Sequence, residues 1–242
     1  MNKENIIMET SEKFINSKTT TRKNKNITIS EIELNKKLAE QIGKSKGKYF
    51  TIFFNNINGL VEQLIKEIIY AINESMKYLK INKKDKILLV GLGNKDITSD
   101  SLGYFVINKI DVNDNTYKIY KNVESITNIN STSFVKNIAN LLNVDLVIVI
   151  DSLSATNIER LNKTIQISTS GIKPGSAFNT ISDEISKKTI KKPVIAIGVP
   201  TIINMQNIIK NKNENLILTS KNIDLDIDNI SSILSIAINR IF

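Results

Sequence analysis

Neither histidine nor cysteine occurs anywhere in the 242 residues. That excludes Ser-His-Asp and Cys-His catalysis, thiolate chemistry and the usual zinc sites, all of which draw on those side chains. No disulfide can form, which agrees with a reducing compartment without requiring one. Any hydrolytic chemistry must move its protons with Asp, Glu, Lys or Tyr. Also missing is any apolar run near the roughly 18 residues that a membrane helix needs. No secretory signal opens the sequence. The expectation is a soluble, intracellular protein.

Charge is present in excess of one sign. Thirty-three Lys and Arg stand against 24 Asp and Glu, a formal net charge of +9. This favours acidic partners over basic ones. Ile, Asn and Lys crowd the whole chain, however, and the lysines are scattered. No aromatic residues interleave a basic stripe as single-strand binders require. Direct nucleic-acid binding is not expected. The length suits one large domain, 1–242, able to bury a sizeable core, and no repeat or linker divides it.

Strand-like and helix-like segments alternate along the chain. Residues 1–28 are polar and rich in Lys and Thr, and read as a loosely ordered leader or an edge segment. Ser30 is placed to cap a helix from Glu31 to Ile42, with Ile32, Leu34, Leu38 and Ile42 as its apolar positions. Tyr49–Phe54 reads as a strand. Gly59–Leu79 is the clearest helix, with Leu60, Leu64, Ile68, Ala71, Ile72, Met76 and Leu79 at three- and four-residue steps. Further strands are expected at Lys86–Val90, Tyr117–Val123, Asp145–Ile150, Thr164–Ser168 and Pro193–Gly198. Further helices are expected at Ser101–Ile110, Thr132–Leu142, Asp228–Ile241 and, in short form, near Ile181–Lys187. Continuous apolar runs such as that of Asp145–Ile150 belong to parallel strands covered on both faces. The pattern predicts an α/β fold, a three-layer sandwich with a mainly parallel twisted sheet.

Three apolar strands end in small or polar residues: GLGN after Val90, DSLSA after Ile150 and GVPT after Ile197. In a parallel sheet these ends share one edge, where loops gather into a cleft. Asp100 and Asp151 could meet there. Two carboxylates held close and partly desolvated cannot both ionise easily, so one serves as acid while the other is base for a water. The plainer alternative stands beside this. Asp100 before SLGYFVI fits a helix cap, and Asp151 fits the cap of a turn through Ser152–Ala155. Asp96, Asp145 and Asp183 read as loop or cap residues. GLGN also invites a dinucleotide-binding reading, yet GLGNKDI lacks a third glycine and helical periodicity does not follow at once. GIKPGS is no GxxxxGK[ST] loop and reads as a turn.

Four ordered motifs, GLGNKDITSDSLG, VIVIDSLSA, TIQISTSGIKPGS and PVIAIGVPT, resemble the germination (spore) protease family of spore-forming Firmicutes. GKYFTIFF is similar to a segment that the family places before its first long helix. The likeness covers roughly residues 27–203. It implies an atypical aspartic endopeptidase related in fold to the hydrogenase maturation proteases (phosphorylase/hydrolase-like). Such an enzyme degrades small acid-soluble spore proteins at germination, in the cytoplasm of the forespore or spore core. The family's two proposed catalytic acids match Asp100, in TSDSLG, and Asp151, in IDSLSA. No cofactor and no metal is implied; the maturation proteases engage nickel through a histidine, and this chain has none. Family members are made as zymogens, shed a short N-terminal propeptide and assemble as homotetramers. NIIMET resembles the start of the mature chain, which makes residues 1–5 a short propeptide.

The sequence departs from the family at several places. Ser99 and Tyr104 stand where the family has Pro, and Ser168-Thr169-Ser170-Gly171 replaces SDTG. Glu124–Asn130 replaces a glycine-rich loop, and the region after Thr201 is shortened. These departures keep a second expectation open, a catalytically weakened protein of the same fold acting as a binding or regulatory module. A nucleotide-binding protein using GLGN is the third.

Overall fold

Apolar residues at consecutive positions force both faces of a strand under cover, and three strands here carry such runs. The computed structural model describes residues 18–24, 26–175, 183–208 and 216–242. Its elements are β1 (Lys18–Asn24), β2 (Ile27–Leu34), α1 (Lys36–Gln41), β3 (Gly47–Phe54), α2 (Val61–Leu79), β4 (Ile87–Leu92) and α3 (Leu102–Asn108). There follow β5 (Thr116–Lys121), α4 (Glu124–Thr127), α5 (Ser131–Leu141), β6 (Leu146–Ala155) and β7 (Thr164–Ser168). The chain closes with α6 (Lys187–Ile190), β8 (Val194–Asn204), β9 (Ile217–Leu218) and α7 (Ile223–Asn239).

The strands form one sheet in the order β1-β2-β3-β7-β8-β6-β4-β5, with β9 added against β8. On one face Ile87, Leu89, Ile148, Ile150, Ile195 and Ile197 pack against α2, α3 and α7. On the other, Leu88, Val90, Leu92, Val147, Val149 and Val194 pack against α5, with Ile185 and Ile190 beside them. The expected three-layer α/β sandwich is therefore what forms. The expected parallel sheet is present as β5-β4-β6-β8. It is joined to an antiparallel half, β1-β2-β3-β7, that also pairs antiparallel with β8. The sheet as a whole is mixed. A two-residue connection joins β1 to β2, and so short a link permits only antiparallel pairing.

The helix expected over Glu31–Ile42 forms only in its second half, Lys36–Gln41, and Glu31–Leu34 belong to strand β2. Ile27 and Ile29 face α2, whereas Ile32 and Leu34 face the opposite way, against Leu38 and Ala39 of α1. This strand serves two cores in turn, so its apolar residues lose simple alternation and imitate helical spacing. Only Lys36–Gln41 is helical, capped by Asn35, whose side chain accepts from the Leu38 N–H at 2.9 Å. Within the stretch expected as a leader or an edge segment, Lys18–Asn24 is β1, an edge strand of the sheet, and β2 begins at Ile27. Residues 1–17, with the propeptide and NIIMET expectations, lie outside the described residues. So do Ile181 and Ser182 of the short helix expected there; residues 183–186 are not helical, and α6 begins at Lys187.

The strand ends run further than their apolar runs. β6 continues through DSLSA and β8 through GVPTIIN, paired side by side with a register shift only at Leu153/Ser154. Asp151 therefore sits inside a strand. Among the described residues no helix is long and apolar enough to cross a membrane.

Candidate active site

Register brings three residues into one row. In the parallel half Leu92 of β4 lies opposite Lys121 of β5, and Gly91 lies opposite Ile150, one residue before Asp151. Lys121, Leu92 and Asp151 share the parity of Ile119, Val90 and Val149, which pack toward α5. Adjacent strands lie about 4.8 Å apart, so the Lys121 and Asp151 backbones are roughly 10 Å apart with β4 between them.

Asp100 reaches this row from above. After β4 the chain turns at Gly93, whose φ of +117° is a conformation that side chains rarely adopt. The short 3₁₀ turn Thr98–Asp100 then folds back over the strand end. Thr201 on β8 fastens it, its hydroxyl donating to the Ser99 carbonyl at 2.5 Å. Asp100 is 5% exposed, and its Oδ2 accepts from the Asn94 N–H at 2.7 Å. Burial pushes this carboxyl up from its ordinary value of 3.8 to about 6, against the opposing effect of the Asn94 hydrogen bond. The carboxylate turns back onto the loop and does not cap α3, whose N-cap residue, Ser101, makes no side-chain capping bond.

Asp151 is 3% exposed, and its Oδ1 accepts from the Ser152 N–H at 2.9 Å. It stands opposite Gly198 in the β6–β8 ladder. The turn-cap alternative does not describe it, because Ser152–Ala155 is strand. Asp100 and Asp151 line a single cavity of about 410 Å³, with Asn94, Lys121, Glu124 and Ser131 also in its wall. Pro174 and Gly175 of GIKPGS close one side. The two acids singled out from the sequence are thus brought together.

Lys121 was not singled out. It is 4% exposed, and its ammonium donates to the Asn122 carbonyl at 2.5 Å and to Thr127 Oγ1 at 2.6 Å. Burial pulls its pKa down, partly offset by Glu124. A lysine ending TYKIYK reads as a solvated strand end. The available signal was its shared parity with Tyr117 and Ile119, which pack inward. Glu124 and Ser125, from the segment that departs from the family loop, also line the cavity.

Two of the other acids have partners of their own, and Asp183 is bonded through its backbone. Asp96 pairs with Lys95 at 2.8 Å, and Asp145 accepts from the Lys86 N–H at 2.9 Å. The Asp183 carbonyl accepts from Thr132. The glycines of GLG and SDSLG are accounted for by close backbone contact. A β-carbon on Gly103 would lie 2.3 Å from the Leu92 carbonyl oxygen, and one on Gly91 would lie 2.2 Å from that of Gly103. Among the described residues no group of three or more His, Cys, Asp and Glu is arranged to hold a metal ion.

Comparison with known proteins finds relatives of the chain. The germination protease family model matches residues 1–218. A germination protease of Geobacillus sp. (strain WCH70) is 34% identical over 201 residues, covering 75% of this chain and 54% of that protein. One from Oceanobacillus iheyensis is 31% identical over 219 residues, covering 81% of this chain and 59% of the relative. The chain spans about half the length of the curated relatives it matches. Among solved structures, a [NiFe] hydrogenase maturation protease from Thermococcus kodakarensis is 14% identical, covering 64% of this chain and 92% of that one. Its TM-score is 0.39, a likeness too distant to bear on the site.

Proposed function

The chain belongs to the germination protease family, and on that premise we propose that it is an endopeptidase in which Asp100 and Asp151 activate water against a peptide bond. The observation that carries this is the burial of both carboxyls in the wall of one cavity. The Asp151 carboxylate takes a proton from water as the water oxygen adds to the scissile carbonyl carbon. The carbonyl π electrons move to oxygen, giving a tetrahedral oxyanion. Asp100, whose raised pKa keeps a proton on hand near pH 6, gives that proton to the leaving amide nitrogen as the C–N bond breaks. The Lys121 ammonium has three donors, two of them engaged within the protein. The third serves the developing oxyanion.

The substrates in this reading are small acid-soluble spore proteins, cut in the forespore or spore core by an aspartic-type enzyme made as a zymogen and assembled as a homotetramer. The net charge of +9 suits acidic partners. The test is direct. Purified protein should cut a small acid-soluble spore protein at few sites, and Asp151→Asn should lose at least about a hundredfold in rate. Full activity in that variant removes the pair of acids from the mechanism.

A second reading, a binding or regulatory module of the same fold, draws on the divergent segment Glu124–Asn130, part of which lines the cavity. No turnover of any spore protein, together with tight retention of one, favours it.

A further inference from the structure

Tyr120 precedes Lys121 on β5 and points to the other side of the sheet, where its ring meets Tyr104 edge-on with centroids 5.1 Å apart. Its hydroxyl donates to the Gly93 carbonyl at 2.8 Å and accepts from the Lys95 N–H at 3.0 Å. Those two groups flank Asn94 on either side, and the Asn94 N–H is the donor held against Asp100 Oδ2 at 2.7 Å. One phenol thus grips both ends of the three-residue loop whose middle amide serves the buried acid. We propose that Tyr120 is a positioning residue, clamping Gly93 and Lys95 so that the Asn94 N–H stays aimed at the Asp100 carboxylate. This rests on the assignment of Asp100 to the reaction.

The clamp has a specific consequence. A donor fixed on a carboxylate favours its charged form, so a slack loop lets Asp100 hold its proton to higher pH. The charged groups around it are Lys95 and Asp96 on the loop, Asp100 on the turn, Lys121 on β5, Glu124 on α4 and Asp151 on β6. Tyr120 itself is neutral across the working range, since burial raises its phenol above the ordinary value. Tyr120→Phe therefore changes no charge there and keeps the ring against Tyr104.

Carboxyl-carbon NMR titration of Asp100 in the full chain decides the matter. In Tyr120→Phe the Asp100 midpoint should rise by at least about 0.5 in pH. In a cleavage assay kcat should fall several-fold with KM little changed, and the high-pH limb should move up with the midpoint. Tyr104→Leu, which removes the ring contact and leaves the hydroxyl, should leave the Asp100 midpoint in place. An unchanged midpoint in a folded Tyr120→Phe overturns the clamp, as does an equal rise in Tyr104→Leu. In the unaltered chain, exchange of the Lys95 amide should be at least about tenfold slower than in an open loop; fast exchange there also overturns it. Because titration and exchange need no turnover, a chain that cleaves nothing defeats the proposed function while the clamp is still decided.

Discussion

A β-carbon on Gly93 would stand 2.0 Å from the carbonyl oxygen of Asp100. The turn that carries the first acid thus rests directly on glycine backbone, and GLGN is a seat for Asp100 and needs no phosphate to explain it. Gly93→Ala introduces a side chain both into that contact and at a φ of +117°. It should cost about 1–3 kcal/mol in thermal denaturation. Activity should fall further than that loss of folded protein explains, because the displaced group is Asp100 itself. A variant with unchanged melting temperature and rate would show that the loop moves aside freely.

Asp100 should leave a signature in the pH dependence of stability. Its folded-state pKa, about 6, lies above the ordinary 3.8. The associated stability is fully present below about 3.8 and is lost as pH rises through about 6, up to about 3 kcal/mol in all. Asp100→Asn keeps an acceptor for the Asn94 N–H and cannot ionise. Urea denaturation at several pH values between 4 and 7 should show the unaltered chain weakening with pH more steeply than Asp100→Asn, in which the half-buried Glu184 still titrates, and Asp100→Asn should be the more stable at pH 7. Parallel profiles would mean that the acid is ionised at little cost.

The same group should shape the rate. With Asp100 as proton donor, activity falls as pH rises past about 6. Asp100→Asn should reduce turnover at least about a hundredfold and abolish that limb. A limb unmoved in a residually active variant would assign it to another group.

Lys121→Met tests the cavity's cation. Loss of one oxyanion donor costs about a hundredfold in kcat, with KM nearly unchanged. Stability should hold or rise, since a desolvated ammonium with a lowered pKa is replaced by an apolar chain of similar reach. Steady-state kinetics and a melting curve on the same sample separate the two. A large fall in melting temperature with normal kcat would give Lys121 the task of anchoring Asn122 and Thr127 alone.

Much of this arrangement is legible without coordinates, and the failures have physical causes. Runs such as ILLV and LVIVI declare buried parallel strands, and their ends point to Asp100 and Asp151. β2 misleads because Ile27 and Ile29 serve one core while Ile32 and Leu34 serve another. Lys121 hides because burial of a charged side chain is decided by how the following elements fold over it, with Thr127 of α4 and Phe134 of α5 among its neighbours. The capping alternatives for both acids were reasonable from local sequence. They fail because the β4 turn folds Asp100 backward and because β6 continues past Asp151.

The row formed by Lys121, Leu92 and Asp151 also governs which changes of length the chain can accept. From Leu146 to Ile150 β6 pairs with β4 without interruption, and its residues alternate between the two faces. One residue inserted there would swing Asp151 to the side now filled by Ile148 and Ile150, against α2 and α3. The same insertion among the exposed residues 111–115, before β5, would disturb that connection's own bonds, such as Asn113 to the Phe242 carbonyl, and leave the faces of the strands as they are. β6 and β8 do shift register, at Leu153/Ser154, two residues after Asp151. The extra residue is Thr201 of β8, so the ladder gives up its regular count only once β6 has delivered the acid.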